Sequence, residues 1–198
     1  MIAGATATGK TALSLEIAND IFDIVSADSV QVYRYLDIGS NKPDPEERRR
    51  VRHYLIDLVD PDFPFSAGEY VARAHDACRK IISCSHLPLF VGGTGLYIDA
   101  FFQGLSDIPD VPAEIKLTLE KDLSEKGIEF LYQELVSVDP VFAERIHPHD
   151  RQRILRGLAV FRATGECISS FLGRKHGYGS DNTLYIGLTL DRENLRKR

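Results

Sequence analysis

Apolar residues are laid out along this chain in two textures. As far as Gly104, short apolar runs alternate with helical patterns. Met1 to Ala3 supplies the end of a first strand, Leu13 and Ile17 with Ala12 and Ala18 give a helix with one apolar side, and Phe22-Asp23-Ile24-Val25-Ser26 is a second strand rich in β-formers. His53 to Val59 reads as another strand, and Leu87-Pro88-Leu89-Phe90-Val91 as a buried parallel strand with Pro88 near its beginning. Ser66-Ala67-Gly68-Glu69 has the hydroxyl and carboxylate of a capping box and predicts a helix to about Ser83. Gly92-Gly93-Thr94-Gly95-Leu96-Tyr97 then opens a helical pattern through Phe101 and Phe102. Strands alternating with helices predict a three-layer α/β core built on a parallel sheet.

Between Pro112 and Gly173 the texture is continuous helix periodicity: Ile115, Leu119 and Leu123, then Phe130, Leu131, Leu135 and Val138, then Ile154, Leu155, Leu158 and Phe161. Gly127, Asp139-Pro140 and His147-Pro148 divide its helices. Leu184 to Leu190 resumes a strand, and Asp191 to Arg198 starts a helix. The predicted organisation is therefore an α/β core over 1–105 and 183–198, interrupted by a helical subdomain over 106–182. Gly39 to Arg52 combines turn signals at Lys42-Pro43 and Asp44-Pro45 with the mixed charges of Glu46 to Arg50, the marks of a solvated surface segment.

Length changes this picture little, since 198 residues bury an adequate core without staples. Cys78, Cys84 and Cys167 lack metal-ligand spacing, which argues against a zinc site and for a reducing compartment. No apolar run approaches the roughly 18 residues that span a bilayer, and the N-terminus holds no signal peptide, so a cytoplasmic protein without a membrane partner is expected. A net charge of −5 argues against whole-protein attraction to nucleic acid. Its distribution is uneven, however. Arg145, Arg151, Arg153, Arg156, Arg162, Arg174 and Lys175, with His147 and His149, outnumber Glu144, Asp150 and Glu166. Arg153 and Arg156 share a helix face beside Gln152, an arrangement suited to backbone phosphates, although a solvated basic face is the plainer alternative.

The strongest chemical signal is Gly4-Ala5-Thr6-Ala7-Thr8-Gly9-Lys10-Thr11, which fills the phosphate-loop pattern G-x-x-x-x-G-K-[ST] at every fixed position. Glycines let successive N–H groups point into one concavity, and the following helix adds the positive end of its dipole. Lys10 is placed to reach the outer phosphates and the Thr11 hydroxyl to coordinate Mg²⁺. The alternative is a Gly/Thr-rich turn capping an ordinary helix. In a parallel sheet, ligands bind at the carboxyl ends of the strands, so Asp28, just past the second strand, belongs on the same rim, with Ser29, Gln31 and Tyr33 close behind, although a polar group at a strand end can equally cap the next segment. The loop at Gly92 to Gly95 fits close backbone approach to a ligand, and equally a bare tight turn. Two reactions suit this set. In a small-molecule kinase, Asp28 takes a proton from a substrate hydroxyl. In a transferase that removes a carbon group from pyrophosphate, it holds the nucleophile while the loop stabilises the leaving group.

Taken together, Gly4 to Thr11, Ser26 to Tyr33, Leu36 to Pro43, His53 to Asp57, Phe65-Ser66-Ala67, Val91 to Tyr97 and Asp150 to Arg156 resemble, in order and spacing, the tRNA dimethylallyltransferases, or tRNA isopentenyltransferases. The resemblance covers essentially the whole chain. It implies transfer of a dimethylallyl group from dimethylallyl diphosphate to the N6 amine of the adenosine 3′ of the anticodon, by a monomer that grips the tRNA anticodon arm. The alternatives are a transferase acting on free adenine nucleotides, or a P-loop kinase; Gly93-Thr94-Gly95 favours tRNA, because the free-nucleotide enzymes usually carry serine in that loop.

By the same resemblance, Gly4, Ala5, Thr6, Ala7, Thr8, Gly9, Lys10 and Thr11 bind the diphosphate, with Mg²⁺ on Thr11. Asp28 is the hydrogen-bond acceptor or base for the amine, with Lys10 and Thr94 as its catalytic companions. Asp28, Ser29, Val30, Gln31, Thr94, Gln152, Arg153, Ile154, Leu155 and Arg156 fall on the tRNA-contacting segments. Ala5 replaces the family's usual proline and Thr8 its common serine, changes that leave the loop's donors intact. Family members continue after Arg192-x-x-Leu195 with further helices and an arginine that contacts pyrophosphate. A chain shortened in this way is expected to bind diphosphate but to transfer poorly, with Arg192 and Arg198 compensating in part.

Overall fold

Residues 1–18, 20–173, 175–176 and 182–197 are described by the structure, a computed structural model. Arg174 and Arg198 fall outside the described residues, as does the side chain of Lys175. The chain divides into two compact units, Met1–Leu105 with Gly177–Arg198, and Ser106–His176.

The first unit is built on a parallel five-stranded sheet of β1 (Ile2–Gly4), β2 (Phe22–Ala27), β3 (His53–Tyr54), β4 (Leu87–Gly92) and β7 (Ile186–Leu188), in the order β3-β2-β4-β1-β7. Its helices are α1 (Lys10–Ile17), α2 (Pro45–Arg50), α3 (Ala67–Ser83), α4 (Gly95–Phe102) and α9 (Arg192–Lys197). Alternate strand residues point to opposite faces. Val25, Ala27 and Phe90 pack with Tyr70, Ala74 and Ile81 of α3 and with Tyr97 and Phe101 of α4, while Ile24 and Leu89 pack with Leu15 of α1. These two apolar clusters, one on each face, are the three-layer α/β arrangement that the alternating strands and helices predict.

Strand register decides where the loops emerge. Ala27 lies opposite Gly92, and Gly92 opposite Ala3 on its other side, so the loops after β1, β2 and β4 leave one edge of the sheet side by side. A Cβ on Gly92 would stand 2.1 Å from the Ala27 carbonyl oxygen, and one on Gly93 would stand 2.9 Å from the Gly4 carbonyl oxygen. The strand ends meet this closely only because these positions carry no side chain.

Three elements differ from the sequence expectations. The strand expected over His53 to Val59 ends at Tyr54, because Leu55 (φ 64°) and Asp57 (φ 57°) turn into the left-handed region. Val59 rejoins only through an isolated parallel bridge to Tyr33. The segment expected to be turns contains α2, whose Asp44 side chain accepts from the Glu46 and Glu47 amides while the Glu47 carboxylate accepts from the Asp44 amide. The reciprocal box thus stands here and not at Ser66, whose hydroxyl caps Glu69 while the Glu69 carboxylate accepts from Arg73 instead.

The second unit holds α5 (Ala113–Val138), α6 (Pro140–Ala143), α7 (Arg151–Thr164) and α8 (Ile168–Phe171). Gly127 interrupts α5 with φ 82° and ψ 167°. Leu119, Leu131, Leu135, Ile154 and Leu158 form the unit's core. Buried Asp139 divides α5 from α6, its carboxylate accepting from the Phe142 and Ser169 amides. Short strands β5 (Leu105–Ser106) and β6 (Lys175–His176) pair separately from the main sheet. Among the described residues no helix is long and apolar enough to cross a membrane.

Candidate active site

A cleft of about 560 Å³ opens on the sheet edge where β1 and β2 end. Its first wall is the phosphate loop, from Thr6 to Ala12. Gly9 caps α1 in the left-handed conformation (φ 94°) and offers no capping side chain, so the first N–H groups of the helix remain directed at the cleft. The Thr8 hydroxyl and the Lys10 ammonium both donate to the Ala5 carbonyl, at 2.8 and 2.7 Å. Burial pulls the Lys10 pKa down, and the nearby Asp28 carboxylate partly restores it.

The opposite wall carries Asp28, whose Oδ1 accepts from the amides of Val30 (2.8 Å) and Gln31 (3.2 Å). Oδ2 has no partner among the described residues, so one oxygen is held and the other is available as an acceptor. Thr94 ties this loop to the end of β4: its Oγ1 accepts from the Ser29 amide at 2.9 Å and its own amide donates to the Ala27 carbonyl. Of the glycines beside Thr94, Gly93 lets β4 approach the Gly4 carbonyl, whereas a Cβ on Gly95 would meet nothing within 4 Å. Gln31 lines the cleft but spends its side chain internally, accepting from Ser26 and donating to the Ser40 and Asn41 carbonyls.

The loop, Asp28, Ser29, Val30, Gln31 and Thr94 are thus brought together in the first unit. Sequence reasoning missed Lys42, Asp57 and His53. The Lys42 side chain is 2% exposed and donates to the Tyr33 carbonyl, Asp37 and Asp57 at 2.6, 2.9 and 2.8 Å, so the segment read as solvated contains a buried cation. Asp57 also accepts from Arg48 at 2.7 Å. His53 lines the cleft with its Nδ1 against the Val51 carbonyl, and burial holds its pKa below the ordinary value. The available signal was the presence of Lys42 and Asp57 inside two of the matched motifs; hydropathy carried none.

Gln152, Arg153, Ile154, Leu155 and Arg156 lie in the second unit at the start of α7. Gln152 and Arg153 are exposed and Leu155 is half-buried, but Ile154 is fully buried in the helical core, which corrects the expected contact of its side chain with a ligand. The basic face is also partly neutralised. Arg151 pairs with Glu120, Arg153 with Asp150, and Arg162 with both Asp122 and Glu134. Arg156 has no ion-pair partner among the described residues.

Mg²⁺ takes hard oxygen ligands and keeps several from substrate and water. Thr11 and Asp28 both line the cleft, and a threonine hydroxyl with a carboxylate is a hard-oxygen set that fits such an ion. No group of three His, Cys, Asp or Glu residues that could hold a metal by itself occurs among the described residues.

Residues 31–198 match the family model described as IPP transferase. The chain is 44% identical over 200 residues to tRNA dimethylallyltransferase 1 of Syntrophotalea carbinolica, covering 100% of this chain and 64% of that protein. Among solved structures it resembles tRNA delta(2)-isopentenylpyrophosphate transferase of Staphylococcus epidermidis (36% identity, TM-score 0.58, covering 100% of this chain and 65% of that one). It also resembles a eukaryotic dimethylallyltransferase acting on tRNA (26% identity, TM-score 0.76, covering 94% of this chain and 47% of that one). The chain therefore spans less than two thirds of the length of each.

Proposed function

This chain belongs to the IPP transferase family, and we propose that it transfers a dimethylallyl group from dimethylallyl diphosphate to the N6 amine of the adenosine 3′ of the anticodon in tRNA. The observation that carries this reading is the half-held Asp28 carboxylate sharing one cleft with the phosphate loop and Lys10.

An adenine amine shares its lone pair with the ring and is a poor nucleophile. Accepting its proton during attack on the allylic carbon lowers the barrier, a contribution of about 100-fold or more for a positioned base. Asp28 Oδ2 supplies the acceptor, while Oδ1 stays bound to the Val30 and Gln31 amides, so the carboxylate is aimed before the substrate arrives. The α1 amides and Lys10 bind the diphosphate and take up the charge that develops as its bond to carbon breaks. Mg²⁺ on the Thr11 hydroxyl would neutralise further charge on that leaving group. Reaching the carboxylate requires the adenosine to leave its stack. Gln152, Arg153 and Arg156 of α7 are assigned to the anticodon arm, Arg156 with the greatest freedom because no carboxylate among the described residues pairs with it. Such a substrate places the reaction in the cytoplasm, one monomer acting on one tRNA.

Incubation with labelled dimethylallyl diphosphate and, separately, unmodified tRNA, AMP or ATP tests this reading. Label in tRNA alone supports it; label in a free nucleotide assigns the chain to the nucleotide prenyltransferases, and ATP consumption without prenyl donor to a kinase.

A further inference from the structure

We propose that Lys42 and Asp57 are positioning residues that hold Asp28 in its working orientation through the backbone of Gln31, an inference that rests on Asp28 being the proton acceptor. The path is a continuous set of hydrogen bonds. Lys42 Nζ donates to Asp57 Oδ1 at 2.8 Å, the Asp57 amide donates to the Gln31 carbonyl at 3.0 Å, and the Gln31 amide donates to Asp28 Oδ1 at 3.2 Å. Leu58 continues the pairing by donating to the Val32 carbonyl at 2.7 Å.

Lys42 lines the cleft, which by itself suggests a diphosphate ligand, but its hydrogen bonds exclude that role. An ammonium has three donors. Here they are spent on the Tyr33 carbonyl, Asp37 and Asp57, and the side chain is 2% exposed. What Lys42 joins is the strip from Gln31 to Tyr33 and the turn at Asp57. That turn needs holding, because Leu55 and Asp57 both lie in the left-handed region, costly for residues other than glycine. Arg48, on the other Asp57 oxygen at 2.7 Å, completes the clamp. The Gln31 side chain closes the same loop from the other side by donating to the Ser40 and Asn41 carbonyls, immediately before Lys42. Released from this clamp, the Gln31–Val32 peptide is free to rotate, the Gln31 backbone torsions are no longer fixed, and the adjoining Gln31 N–H that holds Oδ1 loses its set position. Small misplacement of a reacting group costs on the order of 100-fold in rate.

The test is Lys42→Met, alone and combined with Asp28→Asn. Amide exchange of Val30 and Gln31, whose N–H groups hold Oδ1, is expected to accelerate roughly tenfold or more in Lys42→Met while α3 stays protected. The single-turnover rate of prenyl transfer to tRNA is expected to fall about tenfold to 100-fold with donor affinity within about threefold of the parent. In the Asp28→Asn background the same substitution should add almost nothing, since a residue acting only through Asp28 has nothing left to position. Unchanged Val30 and Gln31 exchange in a folded Lys42→Met protein overturns the proposal whatever the activity, and so does an equal rate loss in both backgrounds. If the parent transfers no prenyl group to tRNA, the functional reading fails, and the exchange result alone decides whether Lys42 holds this loop. Should Lys42→Met not fold, Asp57→Asn, which keeps the shape and the backbone donor, is read by the same measurements.

Discussion

The Thr94 hydroxyl accepts from the Ser29 amide at 2.9 Å and donates back to the Ser29 hydroxyl at 3.3 Å, stitching the loop after β4 to the loop that carries Asp28. Thr94→Val removes both bonds and keeps the shape. Because Ser29 is exposed, water replaces the missing partner and stability falls by only about 1 kcal/mol. Transfer should slow more than that decrease implies, and Thr94→Ser should restore it. Melting temperature and single-turnover rate, compared across the two variants, check the expectation.

Gly92→Ala is expected to be far more damaging than Gly95→Ala. The new Cβ at Gly92 meets the Ala27 carbonyl at 2.1 Å and cannot be relieved without separating β2 from β4, whereas at Gly95 nothing lies within 4 Å. Overpacking against backbone should cost about 3 kcal/mol or more, against roughly 0.5 kcal/mol or less at Gly95. Urea unfolding of both variants reads the difference.

These contrasts show how far the sequence carried the fold and the site. The β-formers of Phe22 to Ser26 and the continuous apolar run Leu87 to Val91 placed the central strands, because both faces of the sheet are covered and neither strand needs a polar side. The phosphate loop was legible from its fixed G-x-x-x-x-G-K-[ST] positions, and Asp28 because a strand end fixes the rim on which the next residues stand. Helix α2 was not, since none of its residues is buried and its cap at Asp44 is its main local signal. The turn at Leu55 and Asp57 was hidden because its apolar residues imitate a strand while side chains distant in sequence, Lys42 and Arg48, impose the left-handed backbone. Charge counting overstated the basic face. Arg162, counted as one of its cations, is engaged by Asp122 and Glu134, which are 40 and 28 residues away in sequence.

Accordingly the arginines should separate by function. Arg153→Ala and Arg156→Ala are expected to weaken tRNA binding with a shallower salt dependence, by about one released counterion for each phosphate that is no longer neutralised. Arg162→Ala should instead destabilise the helical unit, because Glu134 and Asp122 lose a shared partner. Filter binding at several salt concentrations, alongside thermal unfolding, distinguishes the two classes. Equal loss of donor affinity in Arg153→Ala or Arg156→Ala would place them at the diphosphate instead.

Acid should act through Asp57. Burial pushes its carboxyl up, but hydrogen bonds and charges from Lys42 and Arg48 outweigh that and hold it below the ordinary value of 3.8. A carboxylate lowered in the folded state contributes stability that is complete above the unfolded pKa and is lost as pH falls through the folded one. Asp57→Asn should therefore lower the melting temperature at pH 7 and flatten its decline below about pH 4. Parallel curves for parent and variant through that range would remove Asp57 from the acid response.

The central claim is that Asp28 accepts the proton of the attacking amine, and the single-turnover rate of Asp28→Asn tests it most directly. An amide keeps the Oδ1 contacts to Val30 and Gln31 but cannot take up a proton, so the loop and the donor cleft should persist. With saturating dimethylallyl diphosphate and tRNA, the rate is expected to fall at least about 100-fold while donor affinity stays within about threefold. A rate equal to that of the parent under those conditions would contradict the claim.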